Sequence, residues 1–304
     1  MKPLVYLFLI GMIGLTACSP TQITSGAVEN SPAATQGSVE QSPTATPTGG
    51  GHSLSSVTGQ TTPSPTSENK SVAPAAEIRW DNRPEAKIVT ASLSGGLVPP
   101  MIHYNYIPSA QIWGDGHMIW TQSESNGQRR VLQGMLSQDQ MTALLKGAAD
   151  QGFFGWSELY TSPLSPTDLP TRCVQINLLS QSKKVCEYYQ GAPQAFHDLY
   201  DRLAQGAGLT GLGYVPTQAY LVAHSIQSLD LAVDRQKVPT WDAQNTQVSL
   251  ASAANGVWVQ GPALEAAWNL VNTNNFNPIA QQDGAFYEIT LQVPGVSFID
   301  PPAR

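Results

Sequence analysis

From residue 77 onward, apolar and polar positions alternate in short runs, broken by stretches with the period of a helix. Residues 88–93 predict a strand, closed by the breakers Ser94-Gly95-Gly96 and Pro99-Pro100. Residues 101–106 read as an extended segment ending before Pro108. Asp115-Gly116 stands between two apolar runs, which predicts a hairpin through a type I′ turn. Pairing across that turn would set Trp113 beside Met118 on one face and Ile112 beside Ile119 on the other. Both faces are apolar, so the hairpin should be central in its sheet. Residues 131–136 give a further strand. Ser137-Gln138-Asp139-Gln140 is a capping box, and Met141, Leu144, Leu145, Ala148 and Ala149 follow on one helical face until Gly152 stops it. Phe153-Phe154 are core anchors. Residues 172–179 and 183–189 predict a hairpin around Ser180-Gln181-Ser182. A second helix opens at Gly191-Ala192-Pro193, carries Phe196, Leu199, Tyr200 and Leu203, and ends at Gly206.

A glycine-rich joint (Gly206, Gly208, Gly211, Gly213) leads to a second set of elements. Residues 220–224 and 247–250 read as extended, and Ala254-Asn255-Gly256 as a turn before a strand at 257–259. Pro262 suits the first turn of a helix bearing Leu264, Ala267, Trp268 and Val271. Residues 272–277 end it. Asp283-Gly284 precedes an alternating strand at 286–293, closed by Pro294-Gly295. The predicted fold class is α+β: antiparallel sheets, each packed by one or two helices, in modules at 77–208 and 214–304. The order of elements in the second module loosely echoes the first, as a duplication would leave it.

The N-terminal quarter has a different pattern. Lys2 precedes an apolar run from residue 4 to 14, and Leu15-Thr16-Ala17-Cys18 closes it. The run is shorter than the roughly 20 residues a spanning helix needs. An ordinary secretory signal would share the charged and apolar regions but end in an A-x-A-like site. Small residues directly before cysteine instead resemble the lipobox of bacterial lipoprotein signal peptides. That resemblance implies cleavage before Cys18, a lipid thioether on its sulfur and an acylated new N-terminus. Residues 1–17 would then be the signal peptide, and Cys18 the anchor holding the protein on the extracytoplasmic face of a membrane or cell envelope. Residues 18–76 are rich in Ser, Thr, Pro, Gly and Ala, with Glu29, Glu40, Glu68 and Lys70 the charges among them. Such a segment has too little apolar surface to offset chain entropy and predicts a disordered tether with an end-to-end distance of roughly 40 Å. A glycosylated stalk has the same composition. His52, within it, reads as a bystander.

Composition narrows the partners. The chain has 304 residues, a net charge of −7 and 12% charged residues. An acidic, Lys/Arg-poor chain lacks the basic stripe that nucleic acid requires. Partners are therefore expected to be the membrane, through Cys18, and an envelope protein, peptide or glycan. With Cys18 lipidated, Cys173 and Cys186 remain as an even pair in an oxidising compartment, flanking the predicted hairpin; a cross-strand disulfide is expected. A metal site would need more ligands than these two, and catalytic thiols lack a supporting motif. No cofactor or metal is expected.

Gly114-Asp115-Gly116, the capped Leu136-x-x-x-Gln140 helix ending in Phe153-Phe154, the Asp168 loop, the paired strands and Tyr189-x-Gly191-Ala192-Pro193 resemble a domain of unknown function common in exported bacterial proteins. The resemblance covers about 120 residues and implies no catalytic residues or ligand. Where that pattern has Cys-Pro near the first strand, this chain has Val98-Pro99-Pro100.

Motifs for chemistry are sparse. The chain has no G-x-S-x-G elbow, H-E-x-x-H, G-x-x-x-x-G-K-[ST] loop or EF-hand. His103, His117, His197 and His224 lie in the folded part. Asp115 beside His117 suggests a dyad, but residues inside a two-residue turn are poorly placed to face each other, so a solvated turn histidine is the better reading. His197 reads as a boundary residue beside Phe196, whereas His224 could be core, surface or site. Asp198 and Asp201 read as a solvated helix face, and Asp168 and Asp283 as turn residues. Trp113, Trp120, Trp258 and Trp268 suit core positions. Trp80, Trp156 and Trp241 fall in less regular stretches and are the candidates for an exposed aromatic surface. These observations predict a membrane-anchored, non-catalytic binding or structural envelope protein. One alternative is a ligand-binding lipoprotein with a cleft near the glycine joint; another is a surface hydrolase.

Overall fold

A computed structural model describes residues 78–304 apart from 165, 228, 230–233 and 274–277. The signal peptide, Cys18 and the tether lie outside the described residues, as does the end of the helix stop expected at 272–277. The described residues belong to one compact unit.

The fold is α+β, with two antiparallel-rich sheets. The first part of the chain supplies β1 (Lys87–Gly95), α1 (Pro100–Tyr104), β2 (Ala110–Trp113), β3 (His117–Ser123), β4 (Arg129–Met135), α2 (Gln138–Asp150), β5 (Leu159–Thr161), β6 (Pro170–Asn177), β7 (Ser182–Tyr188), α3 (Gln194–Ala204) and β8 (Leu212–Gly213). Its eight strands run in the order β5-β7-β6-β1-β2-β3-β4-β8, with β5 and β7 parallel and every other pair antiparallel. The remainder supplies β9 (Ala219–Ile226), α4 (Ala243–Thr246), β10 (Val257–Val259), α5 (Gly261–Thr273), β11 (Ile279–Gln282) and β12 (Ala285–Gln292), with sheet order β10-β9-β12-β11.

Two cores share the β2–β3–β4 strands. Ile112, Met118, Trp120 and Leu132 face α2 and α3, whose apolar stripes are Met141, Leu144, Leu145 and Ala148, and Phe196, Leu199, Tyr200 and Leu203. Trp113, Ile119 and Val131 point the other way and join Ile107 in the core of the second sheet, beside Leu221, Trp268, Ile289 and Leu291. This arrangement accounts for the apolarity of both hairpin faces. The capping box forms as expected: Gln140 N donates to Ser137 Oγ and Ser137 N donates to Gln140 Oε1.

Three local expectations change. Residues 100–104 form a short helix, because Pro100 at the first helical position presets φ and needs no hydrogen-bond partner for a missing N–H. The β2–β3 register pairs Ile112 with Met118 and Gln111 with Ile119, one residue away from the expected pairing. Gly116 N donates back to Trp113 O and Gly116 alone adopts positive φ, so the connection is a three-residue loop rather than a type I′ turn. The type I′ geometry occurs instead at Asp283-Gly284, where both residues have positive φ and Gln282 pairs with Ala285. Residues 247–250 are not a strand. Asp242 caps α4, and the Trp241 indole N–H holds Val248 O at 2.8 Å, folding the segment back.

Among the described residues no helix is long and apolar enough to cross a membrane.

Candidate functional site

The strands that join the two sheets carry an unusual charge. Arg129 opens β4 on the same face as Val131, pointing into the second core, and only 7% of it is exposed. Its Nε donates to Asn272 Oδ1 at 2.7 Å, and its Nη1 donates to Asn105 O at 2.8 Å. Both acceptors are neutral. Among the described residues no carboxylate lies within ion-pair distance of it and no acceptor meets Nη2. Burial without an anion pushes the guanidinium down to about 10. The sealed, unpartnered side-chain nitrogens among the described residues are Trp120 Nε1 and Arg172 Nε, so Arg129 Nη2 is reached by solvent.

Solvent reaches it through a pocket of about 270 Å³ at the junction of the sheets. Gln128, Arg129 and Arg130 form one wall, Tyr214 and Trp268 a second, and Asn269, Asn272 and Thr273 from α5 a third. Tyr214 meets Trp268 edge to face, with ring centroids 5.9 Å apart, and burial pushes its phenol up to about 12. The opening has a backbone cause. β8 pairs with β4 only at Leu132 and Gln133, and Tyr214 N donates to Val131 O. Continued along the same register, the next such pair would set Arg129 against Pro216, which has no N–H to give. The ladder stops there and leaves the edge of β4 open.

The joint itself is packed rather than hinged. A Cβ on Gly206 would stand 2.7 Å from the Trp120 ring, and one on Gly211 would stand 2.5 Å from it, so these two glycines let the backbone lie on the indole. Residues 206–211 also carry the G-x-G-x-x-G spacing of a dinucleotide loop. Here the run follows the C-terminal end of α3 instead of joining a strand to a helix N-terminus, so no helix start faces a phosphate. Asn105, 2% exposed, ties the sheets further: its Nδ2 donates to Ile289 O at 2.9 Å, and Leu291 N donates to its Oδ1 at 2.7 Å.

A second polar cluster lies on the first sheet. His197 Nε2 lies 3.0 Å from both oxygens of Glu187, which is 4% exposed and also accepts from Ala192 N. Arg172 Nη1 stands 3.9 Å from Glu187, and its guanidinium lies over the Tyr200 ring. The Tyr200 hydroxyl pairs with Ser109 Oγ at 2.6 Å. His197 is therefore a boundary residue, as expected, and the partner of a buried acid. Among the described residues no hydroxyl or thiol hydrogen-bonds its imidazole. The cluster fixes the entry of α3 against β7.

The other candidates disperse. His117 stacks on Trp113, while Asp115 accepts from the His117 backbone N–H, so the two form a turn and not a dyad. His224 is exposed opposite Glu288 in register, with no hydrogen bond or ion pair between them; burial raises the Glu288 carboxyl and the His224 charge opposes this. His103 and Asp168 line one pocket of about 290 Å³ beside Leu97 and Tyr106, without contacting each other. Asp198 accepts from Gln194 on the exposed face of α3, and Asp283 sits in its turn. The Cys173 and Cys186 sulfurs lie 2.15 Å apart, directly opposed in the β6–β7 register. Trp80 and Trp241 are buried and Trp156 is half-buried, whereas Trp258 is half-exposed under Arg304. Among the described residues no group of three or more His, Cys, Asp or Glu is placed to hold a metal ion.

The sequence reading did not single out Arg129, which stands two residues before the strand expected at 131–136 and opens the observed one. Its one sequence signal is its phase with Val131, which puts it on a core-facing position.

No family model matches the chain, and no curated protein or solved structure matches it either.

Proposed function

We propose that this protein is a lipid-anchored, extracytoplasmic, non-catalytic binding protein that takes its ligand in the pocket at the junction of its two sheets. The observation that carries the reading is the buried Arg129 guanidinium, which opens into that pocket without a counter-charge. A cation held out of water in this way costs several kcal/mol that a bound partner would offset. The lipobox at residues 15–18 supports the anchor, and the polar composition of residues 19–76 supports a spacer between membrane and binding unit. The disulfide-distance pair Cys173 and Cys186 suits an oxidising compartment. A hydrolase finds less support, because His197, the histidine that meets a carboxylate, meets no nucleophile among the described residues.

Two experiments test the two halves of the reading. Metabolic labelling with palmitate and membrane fractionation should place the full chain in the membrane fraction, and Cys18→Ser should release it unlabelled. A thermal-shift screen of the purified chain in neutral detergent against peptides, envelope glycans, small acids and metals should find a saturable rise in melting temperature. Asn269→Trp, which fills the pocket from the exposed side of α5, should abolish that rise. A ligand response that survives this substitution would remove the pocket from the reading.

A further inference from the structure

We infer that the junction pocket recognises a monovalent carboxylate, with Arg129 as the residue that holds it; this rests on the reading of the pocket as the binding site. The charge count at the site points to one negative charge. Arg129 supplies a full buried positive charge. Among the described residues, what stands against it is the carbonyl end of α5, worth about half a charge, and two neutral oxygens. Arg130 also lines the pocket, but its side chain is 60% exposed and already leans toward Glu124 at 3.8 Å, so water screens it. A dianionic phosphate would carry a second charge into the pocket with no buried cation to meet it. A carboxylate matches the single charge and can accept a charge-assisted hydrogen bond from the guanidinium N–H groups that remain.

The donors still available agree. Asn272 accepts from Arg129 through Oδ1 and donates one of its two Nδ2 hydrogens to Trp268 O at 2.8 Å. These bonds hold the guanidinium plane fixed and leave one amide hydrogen as a further donor. Nε and one N–H of Nη1 are engaged, and Nη2 is left to donate into the pocket. The opposite wall is aromatic, from Tyr214 and Trp268, and gives the rest of a small acid an apolar surface. At about 270 Å³ the pocket lies just below the roughly 300 Å³ lower bound of common ligand pockets, which selects small acids. A carboxylate can come from a free organic acid or from the C-terminus of a peptide, and the two sources share this chemistry.

The test uses the full chain in neutral detergent at fixed ionic strength. Melting temperature is followed against sodium phenylacetate, phenylacetamide, acetyl-dialanine, inorganic phosphate and sodium chloride. The expected result is a saturable rise with phenylacetate and an affinity for phenylacetamide at least about tenfold weaker, equivalent to about 1.4 kcal/mol. Acetyl-dialanine binding more tightly than phenylacetate would place the source in peptide termini; the reverse order would place it in free acids. Both Arg129→Met and Asn269→Trp should abolish the response. If Arg129→Met does not fold, Asn269→Trp still decides, since it leaves Arg129 and its hydrogen bonds in place. Equal responses to phenylacetate and phenylacetamide, a response to phosphate alone, or a response unchanged in Asn269→Trp overturns the inference. A neutral glycan that saturates the pocket and is blocked by Asn269→Trp would overturn the carboxylate while leaving the pocket as a binding site.

Discussion

Asn105→Ala should cost the protein about 4 kcal/mol and do so in a single unfolding transition. The side chain of Asn105 stands in for a strand. β11 meets β12 from Ile279 to Gln282, and just beyond it Ile289 N donates to Pro278 O at 2.8 Å. Pro278 has no N–H to return, so the Ile289 carbonyl is left for Asn105 Nδ2, and Leu291 N–H is met by Asn105 Oδ1. Alanine would leave both backbone groups without partners in a site that is 2% exposed. Each orphaned group costs about 1–3 kcal/mol, which gives a central value of about 4 kcal/mol and a large share of the total stability of an ordinary domain. Urea denaturation at pH 7, followed by tryptophan fluorescence with the disulfide intact, measures the loss. Asn105→Asp sharpens the test. Its carboxylate can accept from Leu291 N–H but repels the Ile289 carbonyl, whereas the protonated acid can donate. The Arg129 guanidinium, which donates to Asn105 O, favours that carboxylate, so at pH 7 Asn105→Asp should lose less stability than Asn105→Ala. A loss below about 1 kcal/mol for Asn105→Ala, or separate transitions for the two sheets, would refute the reasoning.

Other predictions follow from particular contacts. Gly206→Ala combines positive φ with a 2.7 Å approach to the Trp120 ring and should cost more than about 2 kcal/mol by chemical denaturation, with Gly211→Ala showing the steric part alone. Burial holds the Tyr106 and Tyr214 phenols at about 12, above the unfolded value near 10, so the folded state binds more protons in that window. Stability should fall as pH rises from 10 to 12 by roughly 2 kcal/mol per tyrosine, partly opposed by Arg129, whose lowered value favours folding as pH rises; Tyr214→Phe should flatten the loss. Replacing Cys173 and Cys186 together with serine opens a loop of sequence separation 13 and should cost about 3 kcal/mol, and the intact mass of the unsubstituted chain under non-reducing conditions should be lower than that of the reduced chain by two hydrogen atoms.

Much of the first sheet was legible because its signals are local. The Ser137–Gln140 box, the stripe of α2, the Pro193 entry to α3 and the opposed cysteines each depend on residues a few positions apart. The β2–β3 register was not, since Asp115-Gly116 supports two loop lengths and the structure uses the longer. The pocket was less legible still. It depends on Pro216 ending a ladder, on Asn105 reaching a strand 184 residues away and on α5 delivering Asn272 to β4. None of these pairings leaves a periodic trace. The glycines at 206 and 211 have a packing reason, the close approach of backbone to Trp120.

The shared strands also set the order in which the molecule can be completed. A chain that emerges N-terminus first presents β2, β3 and β4 well over a hundred residues before α5 and β12 exist to cover Trp113, Ile119 and Val131. During that interval the nascent protein carries a bare apolar face, and the last contacts to form include Phe298 N with Tyr106 O and Gln111 with Gly295 O. A chain cut before β12 would thus leave that sheet face half-covered.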